Sequence, residues 1–73
     1  KVDYIKIDAS MIKDIDKNIN SQMVTETIID FAKKMNIKTI AEFVHSETVF
    51  IVVKNMGIDY AQGYYFGKPQ KLN

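Results

Sequence analysis

Cysteine and arginine are absent from this chain of 73 residues, and proline occurs once. Without cysteine there is no disulfide framework to reinforce a domain this small, and the composition fits a reducing compartment. Every one of the cationic side chains is a lysine, so the planar bidentate fork that usually reads base edges and phosphates is missing. With a net charge of only +1, binding to a nucleic acid polymer is not expected. No apolar run reaches the length of a membrane span, and the first residues show no signal-peptide pattern, so the expected location is cytoplasmic, with any membrane tether outside this segment. The chain starts at Lys1, at the edge of a strand pattern, and is expected to be a piece of something longer.

What is present is organised around Lys38-Thr39-Ile40-Ala41-Glu42-Phe43-Val44, a β-rich apolar run with a carboxylate in its middle. Strand side chains alternate, so Glu42 shares a face with Ile40 and Val44. Two further strand-like runs carry a polar interruption: Lys6 within residues 2–8 and Gln62 within residues 58–66. An unpaired polar group inside a strand costs several kcal/mol, roughly, so three on neighbouring strands imply a shared polar site.

Between the strands the period changes. Asp8-Ala9-Ser10 offers capping chemistry for a short helical turn with Met11, Ile12 and Ile15. After a polar loop, Asn20 or Ser21 is the expected N-cap of a longer helix whose Met23, Val24, Thr27, Ile28, Phe31, Ala32 and Met35 recur at helical spacing and should face inward. Asn36 is its expected left-handed stop. Ser46-Glu47 opens a second helix with Val49, Phe50, Val53 and Met56 inward and Gly57 at its end. The β-branched run within residues 48–53 has strand propensity, but a start and a stop at helical length favour helix.

The order is β-α-β-α-β, which predicts an α/β fold with a parallel sheet and right-handed crossovers. Such crossovers place both helices on one face and leave the Lys6, Glu42 and Gln62 face uncovered, whereas parallel sheets are normally covered on both sides. The interior of a TIM-type (β/α)8 barrel resolves this, and closing one takes roughly 250 residues, so this chain would be an incomplete segment of it.

Three motifs then stand in register. Tyr4-Ile5-Lys6-Ile7-Asp8, Thr39-Ile40-Ala41-Glu42-Phe43-Val44 and Gln62-Gly63-Tyr64-Tyr65-Phe66-Gly67-Lys68-Pro69 resemble the K-I-D, A-E-x-V and Q-G-Y-x-F-x-x-P stretches of the EAL domain, the family of cyclic di-GMP phosphodiesterases. The resemblance covers essentially residues 1–73 and implies the C-terminal part of that domain, on the sixth to eighth strands of its barrel. It implies hydrolysis of cyclic di-GMP to linear pGpG by water activated on Mg²⁺ or Mn²⁺. Carried over, Glu42 binds a metal ion and helps deprotonate the water, Lys6 holds that water or the scissile phosphate, and Gln62 lies beside the substrate. The E-A-L signature, the Asn and Glu ligands of the middle strands and the D-D-F-G motif belong to parts of the family that this chain does not contain. The segment alone is therefore expected to be inactive. Phe43 stands where the family commonly has Gly, and His45 where it usually has a second Glu.

Other interpretations attach to the same residues. Lys6 is also a normal snorkelling strand lysine, and Glu42 a normal ion-pair partner for it. His45 lacks a zinc-type spacing and reads as a loop imidazole. Tyr60, Tyr64, Tyr65 and Phe66 fit packing better than a base-stacking platform. Two alternatives to an enzyme are an EAL-type cyclic di-GMP receptor without catalysis and a self-associating interaction fragment. An uncovered face and two open sheet edges predict a homo-oligomer, or association with the missing part of the barrel.

Overall fold

The computed structural model describes residues 3–63 and 70–72. Their elements run β1 (Tyr4–Ile7), α1 (Ala9–Ile12), α2 (Ile19–Lys34), β2 (Lys38–Ala41), α3 (Glu47–Met56), β3 (Tyr60–Ala61) and β4 (Gln70–Lys71). Strands β1, β2 and β3 are parallel neighbours, with Tyr4 opposite Lys38, Lys6 opposite Ile40, and Ile40 opposite Tyr60. The expected β-α-β-α-β order and parallel pairing are therefore present.

Each helix starts where a capping side chain satisfies its first amides. Asp8 accepts from the Ser10 amide at 2.9 Å and from its hydroxyl, and these bonds hold its carboxyl below the usual carboxylate range. A lowered pKa means this cap contributes fully above the ordinary carboxylate range and is lost as pH falls through the folded value. Helix α3 begins at Ser46, whose hydroxyl accepts from the Val49 amide at 3.2 Å, and ends at Gly57 with φ of 93°. The β-branched run is helical because both ends are specified. For α2 the cap is Asn18, accepting from the Asn20 and Ser21 amides at 3.0 and 3.2 Å, rather than Asn20 or Ser21. Asn36 does stop α2, at φ of 58°.

The buried face of α2 differs from the expected one. Thr25, Ile29 and Ala32 are buried, while Met23, Val24, Phe31 and Met35 are exposed. The helix carries two overlapping apolar stripes, and only one can meet the sheet. Ala32 permits close approach, and the Ile37 amide reaches back to its carbonyl at 2.7 Å, which fixes the rotation of the helix at its exit. The core is one cluster in which Ile7, Ala41 and Ala61 of the sheet meet Ile12, Ile29, Val49 and Val53 of all three helices. Both long helices thus cover the same face, as right-handed crossovers require.

The sheet does not end at β3. Gln70-Lys71 pairs antiparallel with Tyr60-Ala61, and the Leu72 amide donates to the Asp59 carbonyl at 2.8 Å. Pairing therefore resumes beyond Pro69, the sheet is mixed, and one of the two expected open edges is occupied. Within the expected strand over residues 58–66, Tyr60–Ala61 is strand among the described residues, and residues 64–66 lie outside them.

At the N-terminal ends of the strands, Asp59 Oδ2 accepts from the Thr39 amide at 2.9 Å and hydroxyl at 3.3 Å, while the Asp59 amide donates to Thr39 Oγ1 at 3.2 Å. This reciprocal clasp joins β2 to β3 before their ladder begins. Asp59→Ala should lower the unfolding free energy by about 1–3 kcal/mol, because it strands the buried Thr39 donors; urea denaturation measures it. Thr25 Oγ1 is buried without a hydrogen-bond partner. Thr25→Val should raise stability by about 1 kcal/mol in the same assay.

Candidate functional site

Parallel α/β sheets present reacting groups at the C-terminal ends of their strands, where loops can diverge without disturbing the core. Here those ends belong to Ile7, Ala41 and Ala61. Strand alternation and the observed register put Tyr4, Lys6, Ile40 and Tyr60 on the face opposite the helices. The edge-on contact of the Tyr4 and Tyr60 rings, with centroids 6.0 Å apart, lies on that face.

Glu42 is not in the middle of a strand, as its sequence context suggests, but one residue beyond the end of β2. Gln62 likewise follows β3 directly. Both continue the ladder through their backbones: the Glu42 amide donates to the Ile7 carbonyl at 3.1 Å, and the Gln62 amide to the Ala41 carbonyl at 2.8 Å. Regular parallel pairing would next bring the amide of residue 43 to the Gln62 carbonyl. Instead the Val44 amide occupies it, at 3.0 Å. Phe43 is therefore an extra residue, a bulge, and its φ of 61° is the left-handed conformation that bulges of this kind adopt. Val44 returns to the core, fully buried.

The bulge interrupts the backbone ladder one residue after Glu42 and leaves that carboxylate half-buried, opposite Gln62 at normal strand spacing of about 4.8 Å. Lys6 is exposed on the next strand, two residues lower, which corresponds to about 8 Å between Lys6 and Glu42 Cα positions. The register thus sets Lys6, Glu42 and Gln62 on three adjacent strands, the latter two directly beyond the strand ends. No ion pair joins Lys6 to Glu42 among the described residues, so mutual neutralisation does not account for them.

Gly63 shows why the third motif needs a glycine. A Cβ there would lie 2.7 Å from the Val44 nitrogen and 2.9 Å from its carbonyl oxygen, and backbone cannot yield as a side-chain tip can. Among the described residues no three His, Cys, Asp or Glu side chains converge to hold a metal ion. The Asp8 carboxylate, at the end of β1, caps α1 through Oδ2, whereas the Glu42 side chain makes no hydrogen bond or ion pair among the described residues.

Two structural participants were not evident from the sequence. His45 Nε2 lies 2.9 Å from the Lys13 carbonyl, and the Thr48 hydroxyl donates to Asp16 at 2.7 Å. Both bonds join residues 32 positions apart, so no local pattern announces them. Tyr64, Tyr65 and Phe66 lie outside the described residues.

The left-handed Phe43 yields a ranking. Phe43→Val should lower unfolding free energy by about 1–2 kcal/mol more than Phe43→Gly does, since a β-branched residue tolerates positive φ least and glycine best. Equal values in urea denaturation would show that the bulge relaxes.

Comparison with known proteins yields one consistent family. The model of the EAL domain matches residues 1–69. Cyclic di-GMP phosphodiesterase PdeB of Shewanella oneidensis is 39% identical over 71 residues, which are 97% of this chain and 8% of that protein. Cyclic di-GMP phosphodiesterase PdeA of Borreliella burgdorferi is 37% identical over 71 residues, 97% of this chain and 11% of that protein. Among solved structures, the EAL enzyme Bd1971 with cAMP and cyclic di-GMP bound superposes with a TM-score of 0.85 at 33% identity, covering 99% of this chain and 19% of its own. A standalone EAL protein of Vibrio cholerae with cyclic di-GMP bound gives 0.85 at 29% identity, covering 97% and 32%. The chain thus spans about a tenth of the length of these two curated relatives. Its mixed α/β fold with parallel strands matches these barrel-type structures.

Proposed function

The chain belongs to the EAL domain family, and on that premise we propose that it forms the C-terminal part of a phosphodiesterase that hydrolyses cyclic di-GMP to linear pGpG. The observation that carries the proposal is the backbone register that sets Lys6, Glu42 and Gln62 on three adjacent parallel strands, at or near their C-terminal ends. Support for the substrate comes from the relatives, which are named as cyclic di-GMP phosphodiesterases, and from EAL structures holding cyclic di-GMP.

Each group has a distinct task. Glu42 offers a hard, anionic oxygen of the type Mg²⁺ and Mn²⁺ take, and it would supply one ligand of a set completed from outside this segment. The chemistry such an ion would supply is Lewis acidity toward water and a phosphoryl oxygen. The Glu42 carboxylate can also accept a proton from the attacking water. The Lys6 ammonium, exposed two residues below, offsets negative charge that develops on the phosphoryl oxygens and orients the nucleophile. Gln62, opposite Glu42, can donate to phosphate or accept from a bound water without adding charge.

With one carboxylate in place, the isolated segment should bind no metal tightly and show no hydrolysis. The exposed Met23, Val24, Phe31 and Met35 of α2 support association, with the rest of a barrel or with a second copy. No helix of the described residues is long and apolar enough to cross a membrane.

Hydrolysis of cyclic di-GMP by the full-length protein carrying this segment, with Mg²⁺ or Mn²⁺, is the test. Glu42→Gln should lower kcat by at least about 100-fold while leaving the fold intact. Unchanged turnover removes Glu42 from the mechanism. Binding of cyclic di-GMP without turnover by the unaltered protein identifies a receptor instead.

A further inference from the structure

The Glu42 side chain makes no hydrogen bond or ion pair among the described residues. Its place therefore depends on the backbone from 42 to 45. One side of that turn is held by Val44, through its buried side chain and its amide on Gln62. The other side is held by His45. The Lys13 carbonyl can only accept, so the His45 Nε2 that lies 2.9 Å from it carries a proton and donates. The same imidazole packs against the Phe43 ring, with centroids 4.9 Å apart and planes at 59°. It therefore braces the residue whose left-handed conformation is the least comfortable in the turn.

The surface to which His45 is tied is itself pinned. Lys13 and Asp16 lie in the turn over residues 13–17 that joins α1 to α2. Asn18 Nδ2 donates to Asp14 at 3.2 Å and Gln22 Nε2 to the Ile15 carbonyl at 2.7 Å, so that turn is fastened to the start of α2. Thr48 adds a second link through Asp16.

We propose that His45 is a positioning residue: by donating Nε2–H to the Lys13 carbonyl and backing the Phe43 ring, it latches the bulged end of β2 to the α1–α2 turn and so aims Glu42. The proposal rests on the role of Glu42 given above. Its chemical requirement is specific. The bond to the Lys13 carbonyl needs a donor at position 45, which a glutamine amide also supplies.

The test uses the full-length protein with two substitutions, His45→Gln and His45→Ala. Glutamine can donate to Lys13, whereas alanine cannot. In hydrogen exchange, the amides of residues 42–46 should exchange faster in the Ala variant than in the Gln variant. In cyclic di-GMP hydrolysis, the Ala variant should lose at least about 10-fold in kcat with KM changed by less than about 2-fold, the pattern of a misaimed reacting group with substrate binding intact. His45→Gln should retain kcat within about 3-fold of wild type. Equal behaviour of the Gln and Ala variants in either assay overturns the latch, as does faster exchange with kcat unchanged. A full-length protein that does not hydrolyse cyclic di-GMP defeats the phosphodiesterase proposal alone, and the exchange pattern still decides the latch.

Discussion

A parallel ladder interrupted at one residue governs how this small sheet presents chemistry. Glu42 is held by its amide on Ile7, and Val44 by an amide on Gln62; the chain accommodates both only by letting Phe43 bulge with a positive φ. Had pairing continued regularly, the peptide after Glu42 would have stayed in the sheet. The bulge turns it away and leaves a half-buried carboxylate at the rim. Gly63 is part of the same constraint, since its missing side chain lets the backbones of β3 and the bulge approach.

The two ends of the strands divide the labour. At the N-terminal ends the Asp59–Thr39 clasp saturates donors and acceptors between β2 and β3 and offers nothing to a ligand. At the C-terminal ends the polar groups of Lys6, Glu42 and Gln62 face outward from a sheet whose opposite face is occupied by α1, α2 and α3. This separation of a stabilising end from a reactive one is general in parallel barrels, where one rim can vary while the other holds the strands together.

Much of the fold was legible because its signals are local. Asp8, Ser46, Asn36 and Gly57 start or stop helices through bonds or backbone angles set within a few residues. The three polar interruptions were legible as one site because strand alternation places them on a common face. The rotation of α2 was not legible: its apolar residues form two stripes, and Ala32 faces the sheet while Phe31 does not because of a bond formed at the helix exit. The antiparallel β4 was equally hidden, since its two residues show no period of their own and their partners in β3 are set by tertiary contact.

By itself the sequence determined the order of elements, most of their caps, the parallel crossovers and the identity of the polar groups, all of which follow from short-range spacing and the chirality of the backbone. Only the tertiary structure decided that β2 stops at Ala41, that Phe43 bulges, which stripe of α2 is buried, and that His45 reaches Lys13. Those outcomes arise from competition among hydrogen-bond partners and apolar surfaces distant in the chain, and no local pattern ranks such competitors.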